Sequence, residues 1–300
     1  MKSIISQSRE RQLPPCPYFY DCGGCDLQHI SYSEQLRYKS ILVQKTIKKI
    51  AQIDFPVSAT IPSDKIYNYR NKASFNFSID GAGFYKQKSN EIVNISKCLI
   101  VDEKINKVYS LFLQYLSDHP DIRPNIKHLV VRAIDNQILV AIVGKKYIDC
   151  LDFYKVLKSH FDRIGLYLVV NARKDAVVIA GKTYFLTGIK QIDIQNFDLK
   201  YSIDLLSFHQ TNINIQDKIY ANVLDYIHAD EIVINAFSGA GLLSAICARK
   251  AKFVFGIEIE KSSHIQAQKL IKNNGIKNVK NILGAFNLEY KNIHKKADAL

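Results

Sequence analysis

Glu231-Ile-Val-Ile-Asn235-Ala-Phe237-Ser-Gly239-Ala-Gly241-Leu-Leu-Ser244 is the segment on which the fold turns. A β-branched run ends in a glycine turn and passes into an apolar helical pattern, the point at which a parallel sheet presents backbone amides to a ligand. Around it the same grammar repeats. Ile213–Tyr226 reads as a helix, Glu231–Asn235 as a strand, Leu242–Arg249 as a helix and Phe253–Glu258 as a strand. Ser262–Asn274 follows as a helix and Val279–Leu283 as a strand. Alternating strand and helix means an α/β, doubly wound, Rossmann-like sheet. Three strands before Leu300 leave long edges, so an incomplete sheet is expected.

Gly239 and Gly241 let the backbone turn tightly, and Glu258 ends the next strand at about the ~20-residue interval that suits a ribose diol. A dinucleotide loop calls for a third glycine where Ser244 stands, which favours a phosphate-free adenosine cofactor, S-adenosylmethionine, over NAD. The bland alternative is a helix-packing glycine pair beside a surface carboxylate.

Upstream the grammar differs. Between Tyr67 and about Tyr201 the runs Ala73–Ile79, Lys127–Ala133, Ile138–Val143, Leu166–Asn171 and Ala176–Ala180 read as strands. Helices near Ile105–Leu116 and Asp152–His160 interrupt them, giving an α+β region. Ser31-x-x-Glu34 is a capping box, with Leu36, Val43, Ile47 and Ile50 at helical spacing behind it, so a helix is expected over about Ser33–Ala51. The expected divisions are a polar tail over 1–15, a cysteine segment and helix over 16–60, a central domain over 61–205, and the α/β part over 206–300.

Cys16-x5-Cys22-x2-Cys25 crowds three of the six cysteines around Gly23-Gly24. A metal site is the physical reading, with Cys98 the best fourth ligand because Cys150 and Cys247 lie in apolar contexts typical of buried thiols. Spacing alone leaves zinc and iron–sulfur both open. The formal charge of +13, from 41 Lys+Arg against 28 Asp+Glu, points to a polyanionic partner held by salt-sensitive contacts. Arg70 and Lys72 are the foremost phosphate contacts, followed by Arg37 and Lys45. No apolar run is long enough to span a bilayer, so no membrane role and a cytoplasmic location are expected.

The segment from Cys16 to Gln28-His29 resembles the cluster signature of the uracil-5 RNA methyltransferases, and Tyr69-Arg70-Asn71-Lys72 through Gly83-Phe84-Tyr85 to Cys98 is similar to its continuation. That resemblance implies a 4Fe–4S cluster on Cys16, Cys22, Cys25 and Cys98, serving folding and RNA placement. Phe208-His-Gln210-Thr-Asn212 is similar to the family's Phe-x-Gln-x-Asn, which makes Gln210 a contact to the methionine end of S-adenosylmethionine. Phe237 and Glu258 match its cofactor aromatic and ribose acid. Asn235, Ser238 and Ala285 depart from the family's usual Asp, Cys and polar residue.

The implied activity is methylation of uracil carbon-5 in RNA. Ribosomal RNA is expected more than tRNA because no TRAM barrel fits before Cys16, and the full-length protein is expected to be a monomer. Lys296-Ala-Asp298-Ala-Leu300 is similar to the approach to the family's Asp-Pro-Pro-Arg. The nucleophilic Cys and basic Glu are therefore expected beyond Leu300, and no catalytic residue within the chain. A non-catalytic iron–sulfur RNA-binding protein is the competing reading.

Overall fold

The computed structural model describes residues 6–173, 175, 177–205, 207–293 and 297–298. The chain divides into two compact units: 1–133 with 140–162 and 166–186, and 134–139 with 163–165 and 187–300. The second unit thus begins earlier along the chain than position 206, taking in a hairpin that the sequence reading placed with the central domain.

In the first unit, α1 (Tyr32–Ala51) starts at Ser31, whose side chain accepts from the Glu34 amide. None of its residues is buried, and Val43 and Ile50 are exposed, so the expected apolar spacing does not make a core face. The helix is held instead by a polar seam. Ser40 and Thr60 hydroxyls lie 2.8 Å apart, and Thr60 donates to the Leu36 carbonyl.

Strands β1 (Lys72–Phe77), β2 (Ala82–Tyr85) and β3 (Ile92–Asn94) form an antiparallel meander, and α2 (Glu103–Asp118) covers it. Apolar residues at helical spacing, Ile105, Val108, Tyr109, Phe112 and Leu116, are all buried. Phe75 stacks on Tyr109 at 4.0 Å and on Phe84 at 5.1 Å, so the helix and two strands share one aromatic core.

Next come β4 (Ile126–Ile134), β5 (Gln137–Gly144), α3 (Leu151–Lys158), β6 (Arg163–Val170) and β7 (Lys182–Gly188). The seven strands run in the order β3-β2-β1-β4-β5-β6-β7, and every residue of β5 is buried. The expected strand at Ala176–Ala180 is not formed; position 176 lies outside the described residues. The Asn171 side chain donates to the Val177 and Val178 carbonyls, supplying locally what a ladder would have supplied, and the strand forms after Gly181 instead.

The continuous part of the second unit, from position 187, begins with a hairpin, β8 (Ile192–Asn196) and β9 (Leu199–Ile203). Its two turn residues, Phe197 and Asp198, both have positive φ, the tight form that matches strand twist. Arg249 donates to the Phe197 carbonyl and to Asp198 and so ties the turn to the helical layer.

The α/β part follows the expected order: α4 (Ile213–Asp225), β10 (Ile232–Ala236), α5 (Leu242–Cys247), β11 (Phe253–Glu258), α6 (Lys261–Asn273), β12 (Val279–Leu283) and α7 (Phe286–Ile293). The three strands are parallel in the order β10-β11-β12. Val233, Val254 and Val279 lie in one row on one face, packed with Ile227, Cys247 and Ala251. On the other face Ile234 and Ile257 pack with Ile293 and Phe286. Asp298 exchanges two hydrogen bonds with Ile232 at the start of β10, its amide donating to the carbonyl at 2.8 Å and its carboxylate accepting from the amide at 2.9 Å.

Candidate functional site

Two cavities, one in each unit, hold the predicted metal and cofactor residues except Gly241 and Glu258. In the first, Cys16, Cys22, Cys25 and Cys98 line a single cavity of about 330 Å³, with Gln28 and Arg70 on its wall. Backbone pairing assembles it. The Gly23 amide donates to the Tyr85 carbonyl at 2.9 Å, and Cys22 bridges to Lys86, fastening the cysteine loop to the end of β2. A Cβ on Gly23 would meet the Gln87 amide at 3.0 Å and the Tyr85 carbonyl at 3.1 Å, so this approach needs glycine.

Cys98 is clamped from α2, its amide donating to Asn106 Oδ1 and its carbonyl accepting from Asn106 Nδ2, both at 2.9 Å. Nothing in the sequence pattern distinguished Asn106 from any other polar helix residue.

Burial pushes the Cys22 and Cys25 thiols above their ordinary range and the Cys98 thiol up to about 11, with the neighbouring thiols adding to the rise. Backbone amides oppose it, Gly24 at Cys22 and Ile100 and Val101 at Cys98. Grouped thiols of this kind become thiolates readily only against a strong positive charge. Among the described residues no three His, Cys, Asp or Glu side chains are grouped to hold a metal ion. The four thiols nonetheless line one cavity, a sulfur-only donor set of the kind that zinc and iron–sulfur centres both use.

The second cavity, about 510 Å³, lies at the carboxyl end of β10. Gln210, Phe237 and Gly239 line it, joined by residues the sequence did not single out: Tyr201, His209, Gln216 and Lys269. The β8–β9 hairpin contributes Tyr201 and α6 contributes Lys269, and neither element carries a recognisable motif.

Phe237 sits at φ 55°, a region disfavoured for an aromatic residue, with its ring exposed and 5.3 Å from Phe286. A Cβ on Gly239 would meet nothing within 4 Å, so this glycine faces open space.

Gly241 and Glu258 are not in the cavity wall. Gly241, at φ 80°, lies where a Cβ would come within 2.7 Å of the Ala267 side chain, so it packs α5 against α6. Glu258 braces the loop, one oxygen accepting from the Gly239 amide at 2.8 Å and the other from the Glu260 amide at 2.7 Å. Asn235, one of the departures from the family pattern, donates to Ser244 Oγ at 2.9 Å.

None of the six cysteines lines the second cavity. Cys150 and Cys247 are buried, which pushes their thiols up to about 12 and about 11. Of the predicted phosphate contacts, Arg70 lies on the thiol cavity, Arg37 is engaged by Glu34 and Lys45 is exposed. No described helix is long and apolar enough to cross a membrane.

Residues 31–294 match the family profile described as tRNA (uracil-5-)-methyltransferase. An uncharacterized RNA methyltransferase of Caldanaerobacter subterraneus is 32% identical over 98% of this chain, and one of Clostridium tetani is 30% identical over 94%. The chain spans 69% and 65% of their respective lengths. In fold it is similar to the Pyrococcus abyssi tRNA (uracil-54, C5)-methyltransferase solved with S-adenosyl-L-homocysteine. The TM-score is 0.74 at 22% identity, over 94% of this chain and 68% of that one.

Proposed function

The chain belongs to the tRNA (uracil-5-)-methyltransferase family, and from that premise we propose that it binds S-adenosylmethionine in the cavity at the end of β10 and holds RNA for methylation of uracil carbon-5. The observation that carries this reading is the glycine loop. Its amide at Gly239 is fixed by Glu258, and Gln210 and Phe237 stand on the same cavity wall. S-adenosylmethionine supplies an electrophilic methyl group. In this reading Gln210 binds its methionine end and Phe237 covers its apolar body. Glu258 keeps lone pairs for a ribose diol while accepting the two amides.

Cys16, Cys22, Cys25 and Cys98 are the residues that would hold a 4Fe–4S cluster, and the cluster's part is to fold the first unit and fix Arg70 beside it. Ribosomal RNA is the substrate expected from the sequence, whereas tRNA is the class named for the matched family and the Pyrococcus relative.

Carbon-5 of uracil attacks a methyl sulfonium only after a thiolate has added to the adjacent ring carbon. The cysteines of this chain lie in the thiol cavity or are buried without lining the β10 pocket, so in this reading none of them supplies that thiolate. Two measurements test this together. Titration with S-adenosylhomocysteine should give saturable binding that Gln210→Ala weakens. Incubation with labelled S-adenosylmethionine and purified ribosomal or transfer RNA should give no methyl incorporation by these 300 residues alone. Absence of cofactor binding would overturn the first claim, and incorporation into either RNA the second.

A further inference from the structure

The polar row beside the valine row has no part in the proposed function as stated. Asn235, Gly256 and Asn281 are register partners across β10, β11 and β12, two residues beyond Val233, Val254 and Val279 on the same face. One row is a packed apolar layer. The next consists of two amides flanking a residue with no side chain.

Around that glycine the oxygens converge. A Cβ built on Gly256 would lie 2.7 Å from Asn281 Oδ1, 2.9 Å from Ser244 Oγ and 3.1 Å from Ser238 Oγ. Ser244 is fully buried and accepts from Asn235. Ser238 Oγ and both polar atoms of Asn281 are buried with no protein partner. A buried polar group in a native fold is satisfied by protein or by ordered water.

We infer that the niche over Gly256 is a binding site for one ordered water, held by Asn281, Ser238 and Ser244, and that it ties the cofactor loop after β10 to β12 across the intervening strand β11. A water there donates to Asn281 Oδ1 and to one serine oxygen and accepts from the other serine hydroxyl, the three bonds usual for a buried water. Gly256 is required because any side chain would occupy the niche. Ser238 is the residue between Phe237 and Gly239, so the bridge sets the height of the loop that carries both. Asn281 is thus a positioning residue, acting on the cofactor through water and Ser238.

The consequence for binding rests on the cofactor reading above; the water itself does not. The test is a crystal structure of the parent chain at a resolution that shows ordered water, with Asn281→Leu and Asn281→Asp variants. For all three, melting temperature and S-adenosylhomocysteine affinity are measured. Density for one water within hydrogen-bond distance of Asn281 and both serines is expected. Asn281→Leu should fill the niche with an apolar group, keep or raise the melting temperature, and weaken S-adenosylhomocysteine roughly five- to tenfold. Asn281→Asp, which keeps an oxygen at the site, should stay within about twofold of the parent.

A merely structural role would lower melting temperature and affinity together. Direct pairing of Asn281 with Ser238 without water would overturn the inference, and so would unchanged affinity in Asn281→Leu. If the parent does not bind S-adenosylhomocysteine at all, the cofactor reading fails while the density still decides the water.

Discussion

The thiol cavity and the β10 pocket are built on opposite principles. The thiol cavity gathers side chains from residues 16–25 and 98 whose ionised forms repel one another, and burial raises their pKa. Its backbone contacts oppose that rise only in part, so a cationic guest would stabilise the cavity. The β10 pocket sits at parallel strand ends and a positive-φ turn, beside a carboxylate that already accepts two amides. Ligand chemistry should therefore be coupled to folding in the first unit and nearly separate from folding in the second.

Removing a thiol is the sharpest way to break that comparison. Cys22→Ser is expected to lose the iron taken up in anaerobic reconstitution and to unfold much of the first unit, because structural metal sites supply on the order of 10 kcal/mol of folding free energy. Iron analysis with hydrogen exchange resolved along the chain would check it, with protection lost in β1–β3 and kept in β10–β12. Full iron content and unchanged protection in the variant would show that the cavity folds without its guest.

Glu258→Ala should do the reverse. The Gly239 and Glu260 amides lose their acceptor and the ribose loses a charged partner, so S-adenosylhomocysteine affinity should fall roughly ten- to a hundredfold. The melting temperature should move little and the iron content not at all. Calorimetric titration reads the first and iron analysis the last. A variant that unfolds instead would place this pocket in the same class as the thiol cavity.

A smaller effect is expected on RNA. Arg70 lies on the thiol cavity and its Nε donates to the Lys72 carbonyl, which aims the guanidinium from the start of β1. Arg70→Glu should weaken RNA binding and reduce the slope of log affinity against log salt by about one to two, since one phosphate contact is lost and a repulsion added. Filter binding at several salt concentrations measures it. An unchanged slope would remove Arg70 from the interface.

The parts of this arrangement that were legible in the sequence are those where one residue type does one job. The strand and helix order from Ile213 to Leu283 was readable because apolar periodicity switches cleanly there. The Cys16, Cys22, Cys25 and Cys98 set could be picked out because apolar context separated it from Cys150 and Cys247. Gln210, Phe237 and Gly239 do share a cavity, whereas Gly241 and Glu258 serve packing and bracing beside it. The β8–β9 hairpin was missed because its turn is Phe197-Asp198, carrying no glycine at either positive-φ position. The role of Asn106 depends on a contact eight residues away, and that of Asn281 on register with Gly256. Neither relation is written in local pattern.

The smallest expected effect is one of pH, and it too should fall on one unit. His128 of β4 is drawn down to about 4, chiefly by burial and further by Lys127. Asn76 uses its amide nitrogen on the Gly83 carbonyl, so its oxygen faces His128 as an acceptor, and the neutral imidazole donates from Nδ1 at 3.0 Å. Protonation would place a charge where water is largely excluded. A histidine with a folded pKa below its unfolded value of about 6.5 binds fewer protons in the native state. Its contribution is therefore complete above about pH 6.5 and is lost as pH falls toward 4. By pH 5 the loss should be about 1 kcal/mol once solvent screening is allowed for. Hydrogen exchange at pH 7.5 and pH 5 should show β1 and β4 amides near Asn76 losing protection while β10 and β11 do not, after correction for intrinsic exchange rates. To isolate the His128 contribution the comparison is made against His128→Gln, which should start less stable at pH 7.5 and lose less on acidification. If parent and variant lose protection equally between the two pH values, the acid sensitivity of the first unit lies with other groups.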